Sequence, residues 1–314
     1  MQRRIDDDRS PAAGPHPVLL ALLDGTLADL ERPLVRADDL GIVRGDGVFD
    51  AAIVVRGVPR DLDRHLRRLA DSARMLDLPA PDLDGYRRAV DALIAAWDWE
   101  RAPECVLRMI QTRGPGHGEP GGGWALAEPV SERIVRERET GIRVLVLDRG
   151  FEGDGIAELP WLLPGAKSLS YGINMAAKRW AEAHDADDAL FVSPTGRLLE
   201  GPNSTLVLDL DGELVTPVQD GILASITLEA LADAAASEGL SLRFAELTRD
   251  DLERARGAWL LSSGRIAAPV TSFDGRPIAR SPLHEQVRRA LDVPSYGDGA
   301  DGGAAADDAL VSAS

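Results

Sequence analysis

A chain of 314 residues with an apolar fraction of 44% can bury a core and form one large domain or two ordinary ones. A formal charge of −17 argues against general nucleic-acid binding and against docking on an anionic membrane, and any internal anion site must be built locally from arginine. The single cysteine, Cys105, excludes an intrachain disulfide and a cysteine-only metal cluster; its place in the apolar run ECVLRMI reads as buried filler.

The first fifteen residues are polar and read as a disordered tail, as do residues 295–314. The opening MQRRIDDDRSPAAGP has no apolar signal-peptide core, and no run of 18 apolar residues follows, so a cytoplasmic protein without a membrane span is expected. PVLLALLDGTL predicts a strand with an Asp-Gly turn, and GVFDAAIVVRGVPR a strand turning at Arg56-Gly57. Leu62, Leu66, Leu69, Ala73 and Leu76 form a helical stripe, with Asp61 as its cap. DGYRRAVDALIAAW is a second helix, ECVLRMIQTRG a strand and GPGHGEPGGGW a glycine-rich loop. Charge density rises in SERIVRERET, and GIRVLVLD then starts a new strand. The expected organisation is therefore a small N-terminal α/β domain over 16–138 and a larger mixed domain over 139–294, α+β overall. In the second part, YGINMAAKRWAEAH reads as a helix, ALFVSPTGRLLEGPNSTLVLDLDGELVTP as short strands and Ser225 to Glu238 as a helix. LSLRFAEL, a short helix near Asp250 to Arg256, GAWLLSS, a hairpin at SFDGRPI and a closing helix from Leu283 to Leu291 complete it.

Rare residue types group together. Of 35 basic residues only Lys167 and Lys178 are lysines, and both lie in GAKSLSYGINMAAKRW. The only asparagines, Asn174 and Asn203, and one of three tyrosines, Tyr171, lie between Lys167 and Asn203. In a composition that otherwise favours arginine, this points to a polar site. A lysine amine, once desolvated, can bond a carbonyl carbon, which a guanidinium cannot.

GIVRGDGVFDA, DRHLRRLADSARML, KSLSYGINMAAKRWAEA, GRLLEGPNSTLV, GILASIT and LLSSGRIAAPVTSFDG occur in this order. From about Pro17 to Leu291 the chain resembles the class IV aminotransferases, the fold-type IV pyridoxal-phosphate enzymes. The resemblance implies a D-amino-acid-aminotransferase-like two-domain fold, a pyridoxal 5′-phosphate cofactor and a homodimer whose site is completed by a partner loop. It makes Lys167 the Schiff-base lysine and catalytic residue, Glu200 the carboxylate facing the pyridine nitrogen and Tyr171 the partner of the cofactor's phenolic oxygen. Arg68, with Arg67 the competing choice, would hold the phosphate together with the amides of Ile226 and Thr227 and the hydroxyl of Ser263. Ser225 stands where the family usually has glycine, which questions the tightness of that turn. Asn203 is expected in a turn or behind the residues that touch the cofactor and not as a catalyst, His65 in a structural role, His117 as a weak candidate for substrate contact and Lys178 as a solvated charge on a helix face.

The reaction is less sharply implied. GDG in the N-terminal motif resembles aminodeoxychorismate lyases and D-amino-acid transaminases. Arg108 and Arg113 in LRMIQTRG, with Arg44 and Arg265, are candidate partners for a small substrate carrying carboxylates. The expected activity is conversion of 4-amino-4-deoxychorismate to 4-aminobenzoate and pyruvate, a step toward folate. Transamination of branched-chain or D-amino acids is the alternative, and a non-catalytic scaffold of the same fold a further one.

Overall fold

A computed structural model describes residues 18–116, 121–150 and 159–296. The tail expected at 1–15, His117 and most of the tail expected at 295–314 lie outside the described residues.

The first layer is a six-stranded antiparallel sheet. In chain order it is built from β1 (Leu19–Leu22), β2 (Leu27–Ala28), α1 (Leu40–Arg44), β3 (Gly47–Val55), β4 (Val58–Pro59), α2 (Leu62–Met75), α3 (Leu83–Ala96), β5 (Glu104–Thr112) and β6 (Gly123–Pro129). The strand order is β2-β1-β6-β5-β3-β4. The turns fall where turn chemistry put them: Gly25 has φ +89°, and Arg56 and Gly57 are both left-handed. Leu66, Leu69 and Ala73 of α2 and Tyr86, Ala89, Val90 and Leu93 of α3 are buried against Val48, Leu107 and Met109 of the sheet. Asp61 differs from expectation. It is left-handed at φ +49°, and its side chain caps nothing; its carbonyl takes the first helical N–H groups instead.

The segment SERIVRERET, read only as charged, is a helix, α4 (Glu132–Thr140), capped by Ser131, whose hydroxyl accepts the Ile134 N–H. Its charges had masked a helix that packs on the larger sheet. The expected boundary at 138/139 thus falls inside α4, three residues before the second sheet begins. That sheet comprises β7 (Ile142–Asp148), β8 (Asp188–Val192) after α5 (Gly172–Ala183), β9 (Thr205–Leu210) and β10 (Glu213–Pro217). After α6 (Ile226–Ala235) come β11 (Leu242–Ala245), α7 (Arg249–Arg254), β12 (Gly257–Ser262), β13 (Ile266–Phe273), β14 (Arg276–Pro277) and α8 (His284–Ala290). The order is β11-β10-β9-β12-β13-β7-β8, with β14 on β13. Along β12, Ala258 and Leu260 enter one core and Trp259 and Leu261 the other. A strand buried on both faces reads as a continuous apolar run, as GAWLL does. No described helix is long and apolar enough to cross a membrane.

A buried ion network ties the two sheets together. Arg138 of α4 is fully buried and donates to both carboxylate oxygens of Glu104 on β5 at 2.7 Å. It also donates to the carbonyls of Gly264 and Arg265 in the β12–β13 turn. Tyr296, inside the segment expected to be a tail, donates to the same Glu104 at 2.6 Å. Removing one partner strands a buried charge. Arg138→Met is expected to lose about 3–5 kcal/mol of stability, read by denaturant unfolding; a loss below 1 kcal/mol would show that the pair is not holding the sheets together.

Candidate active site

The site forms where β3 meets the segment that carries Lys167. Phe49 N–H donates to the Lys167 carbonyl at 3.0 Å and Leu169 N–H to the Gly47 carbonyl at 2.8 Å. A Cβ on Gly47 would stand 2.6 Å from the Gln111 carbonyl and from Leu169 Cδ1, so only glycine allows this approach. Beyond the seam, strand alternation sorts the side chains. Phe49 and Ala51 line a cavity of about 520 Å³ between the two sheets, and Asp50 faces α2.

Asp50 was not singled out from sequence, yet it organises one end of the cavity. It is fully buried. One oxygen accepts from Arg68 Nε at 2.7 Å; the other faces a terminal nitrogen of Arg68 at 2.8 Å and His65 Nδ1 at 2.7 Å. Burial would push its carboxyl up, but the Arg68 charge and the bonds from Arg68 and His65 outweigh that and hold it well below the usual carboxylate range. Arg68 is fixed again by donation to the Ala224 carbonyl at 2.9 Å, just before α6. Arg67 points away, exposed, toward the Asp63 carbonyl.

Ile226 and Thr227 open α6, and the first N–H groups of a helix have no partner within it. Ser225 is the N-cap, in ordinary extended geometry at φ −93°, with its hydroxyl accepting the Leu228 N–H at 3.2 Å. Serine in place of glycine therefore costs this turn nothing. Arg68, Ile226, Thr227 and Ser263 all line the same cavity. A guanidinium, a helix N-terminus and a hydroxyl together suit a phosphate.

Lys167 lines the same cavity. Its amino group lies 4.7 Å from the Phe49 ring centre and 5.6 Å from that of Tyr171, whose rings meet edge to face at 5.3 Å. Burial, then the Arg68 charge, lower it from 10.5 to about 8. Tyr171 also lines the cavity; its hydroxyl donates to the Pro202 carbonyl at 2.9 Å, and burial pushes its ionisation up. Asn174 donates to the same carbonyl. Glu200 also lines the cavity, held between Arg149 and the Leu223 N–H, each at 3.2 Å, and its carboxyl is raised by burial. The donor set in this one cavity thus fits pyridoxal phosphate: an anion cradle, an amine and a carboxylate.

The basic residues expected to meet substrate divide sharply. Arg108 lines the cavity, steadied by a 2.7 Å bond from its Nε to Glu128. Arg113 does not line it; it bonds Asp46 and the Leu76 and Asp77 carbonyls at the end of α2. Arg265 is buried beneath the site, paired with Glu137 at 2.8 Å and Asp188 at 2.6 Å. Arg44 is exposed in the last turn of α1, outside the cavity lining. Arg149, missed in the sequence, does line it, as does Asn203. Lys178, expected in solvent, is buried on the inner face of α5.

A family model described as amino-transferase class IV matches residues 47–273. The chain is 38% identical over 288 residues to a bifunctional aminodeoxychorismate lyase / D-amino acid transaminase of Mycobacterium tuberculosis, covering 89% of this chain and 100% of the relative. Among solved structures it is similar to a hypothetical aminotransferase from Mycobacterium tuberculosis in a PLP-bound form, with 39% identity and a TM-score of 0.84 over 88% of this chain and 98% of that one. It is also similar to the fold IV-transaminase CpuTA1 from Curtobacterium pusillum, with 39% identity and a TM-score of 0.82 over 89% and 100%.

Two predictions follow from the geometry. Lys167 binds its proton less tightly folded than unfolded, so between about pH 8 and 10.5 the unfolded chain holds a proton that the folded one has lost. Cofactor-free protein should gain stability from this group as pH rises through that window, and the gain should vanish in Lys167→Met; parallel melting-temperature curves for the two proteins would refute it. Arg68→Ala should weaken cofactor binding by about 1.5–3 kcal/mol, with Arg67→Ala unchanged. A titration with the reverse ranking would exchange their roles.

Proposed function

The chain belongs to the class IV aminotransferases, enzymes that use pyridoxal 5′-phosphate, and we propose that within this family it converts 4-amino-4-deoxychorismate to 4-aminobenzoate and pyruvate. The observation that carries this reading is a roomy cavity, about 520 Å³, whose lining includes both Lys167 and Arg108, the latter the cross-strand neighbour of Ala51. The size is ample for a ring-bearing substrate, and a planar guanidinium binds a carboxylate through two parallel bonds. The name of the mycobacterial relative, a bifunctional aminodeoxychorismate lyase / D-amino acid transaminase, supports this reading and D-amino-acid transamination equally.

Arg68, the Ile226 and Thr227 amides and Ser263 would hold the cofactor's phosphate, and Tyr171 would stand by its phenolic oxygen. When bound, the cofactor supplies an electron-withdrawing ring that stabilises negative charge at the substrate's α-carbon. Glu200, as a carboxylate, would keep a proton on the ring nitrogen. Lys167, whose amine is neutral in a large fraction near pH 8, would take the α-proton and deliver it where the reaction requires. The rings of Phe49 and Tyr171 lie against that amine, which stands 4.7 and 5.6 Å from their centres.

D-amino-acid transamination is the second reading, and a specific observation favours it. Arg44, Arg113 and Arg265, expected to supply extra positive charge for a dicarboxylate, stand outside the cavity lining. The working unit in either case is a homodimer in the cytoplasm. Ile42 and Val43 of α1, and Ile173 and Trp180 of α5, are 49–67% exposed, and the Ser170 hydroxyl donates to the Gly45 carbonyl between the segments that flank the two helices. An apolar surface of this kind suits a second copy.

A ratio of specificity constants on one preparation decides between the readings: 4-aminobenzoate and pyruvate release from aminodeoxychorismate against transamination of a panel of D- and L-amino acids. The lyase constant should be the larger. Arg108→Leu should reduce it by about 2–5 kcal/mol in transition-state binding while the bound-cofactor spectrum stays unchanged. A D-amino-acid constant well above the lyase one would establish the second reading. Sedimentation should give twice the chain mass at micromolar concentration; a fully active monomer would exclude the dimer.

A further inference from the structure

We infer that Arg149 is a positioning residue, one that acts on the cofactor through Glu200 by keeping that carboxylate ionised and aimed. The inference rests on the reading that Glu200 faces the ring nitrogen. Arg149 follows β7 directly, and its backbone N–H donates to the Val192 carbonyl at 2.9 Å, so its base is set by the sheet. Its guanidinium lies 5.4 Å from the centre of the Phe191 ring, a cation–π shelf on β8 that fixes its reach. From there it donates to Glu200 Oε1 at 3.2 Å, with the two side chains only 20% and 14% exposed. The other oxygen accepts the Leu223 N–H at 3.2 Å, and the Glu200 carbonyl accepts the Phe191 N–H at 2.9 Å. The carboxylate is thereby held from both sides.

The physical need is plain. A buried carboxylate prefers its neutral form, and a neutral acid beside a pyridine nitrogen donates a hydrogen bond to it while keeping its proton, so the ring stays uncharged. A guanidinium at hydrogen-bond distance favours the charged arrangement, carboxylate against protonated ring. It is closer to the carboxylate than to anything the carboxylate binds on its far side, so attraction outweighs repulsion. Arg149 therefore acts at one remove on the strength of the electron sink. Nothing in this role needs contact between Arg149 and substrate, although it lines the cavity.

The test compares pyridoxal phosphate with its carbocyclic analogue, in which carbon replaces the ring nitrogen. Dissociation constants for both are measured by quenching of tryptophan fluorescence, in the wild type, Arg149→Met, Arg149→Lys, Glu200→Gln and the Arg149→Met/Glu200→Gln double variant. Arg149→Met should weaken pyridoxal phosphate on the order of tenfold, as expected for a charged hydrogen bond, and leave the analogue unchanged. Arg149→Lys, which keeps the charge, should recover most of the loss, and the Arg149 effect should disappear when Glu200 is already glutamine. Equal weakening of both compounds, or the same Arg149 effect in the Glu200→Gln background, would overturn the inference, as would a raised substrate KM with both dissociation constants unchanged. If Glu200→Gln itself fails to distinguish the two compounds, the placement of Glu200 at the ring nitrogen is wrong, a result separate from any concerning Arg149. Arg149→Lys guards against a methionine variant that does not fold.

Discussion

The hydrogen-bonded seam between β3 and the Lys167 segment is the constraint on which the site depends. Two backbone bonds, Phe49 to Lys167 and Leu169 to Gly47, set the register. Once the register is set, strand alternation does the rest. Phe49 comes under the lysine amine and desolvates it, and Asp50 falls on the opposite face, where it holds Arg68 and His65. A slip by one residue would turn Asp50 into the cavity and Phe49 toward α2. The seam also crosses between the sheets, which explains the steric demand for glycine at position 47: a methyl group there would separate the two halves of the site.

Arginine performs two distinct tasks in this acidic chain. Arg113, Arg138 and Arg265 belong to the frame, each paired to carboxylates and, for Arg113 and Arg138, to backbone carbonyls as well. Arg68, Arg108 and Arg149 line the cavity, yet each is also braced by a carboxylate, Asp50, Glu128 or Glu200. The braces give each guanidinium one orientation, so that the remaining N–H groups of Arg68 and Arg108 can meet a ligand without a large loss of side-chain freedom. Local pairing thus lets a protein of charge −17 present positive charge to an anion.

Much of this was legible in the sequence because it rests on local chemistry. The hairpin at Arg56-Gly57, the stripe on α2 and the doubly buried β12 follow from turn residues and periodicity. The order of six motifs brought Lys167, Glu200, Arg68 and the start of α6 together. What escaped was long-range pairing. Arg113 and Arg265 looked equivalent to Arg108 because sequence does not reveal which arginine already has a partner, and Arg44 because it does not reveal which faces solvent. Asp50 lies in the open in GVFDA, but its importance depends on α2, fifteen residues away. Arg149 ends a strand with nothing local to mark it. In α4, a dense run of charge concealed both the helix and the buried pair at its end, since Arg138 and Glu137 find their partners in distant strands and turns.

The two lysines show how far a compositional argument reaches. Both were retained in a chain of 33 arginines, and both are buried on or beside α5, where burial lowers the affinity of each for its proton. Rarity therefore marked an environment rather than a single role. A guanidinium cannot shed its proton in a desolvated position, and an amine can. At Lys167 that property meets aromatic faces and an open cavity, and the neutral amine becomes available for chemistry. At Lys178 burial again lowers the amine's hold on its proton while Asp188 and Glu137 of the network with Arg265 oppose the shift, and the residue lies outside the cavity lining. The same physical preference for an amine serves framework in one place and reaction in the other, and the cavity wall decides which.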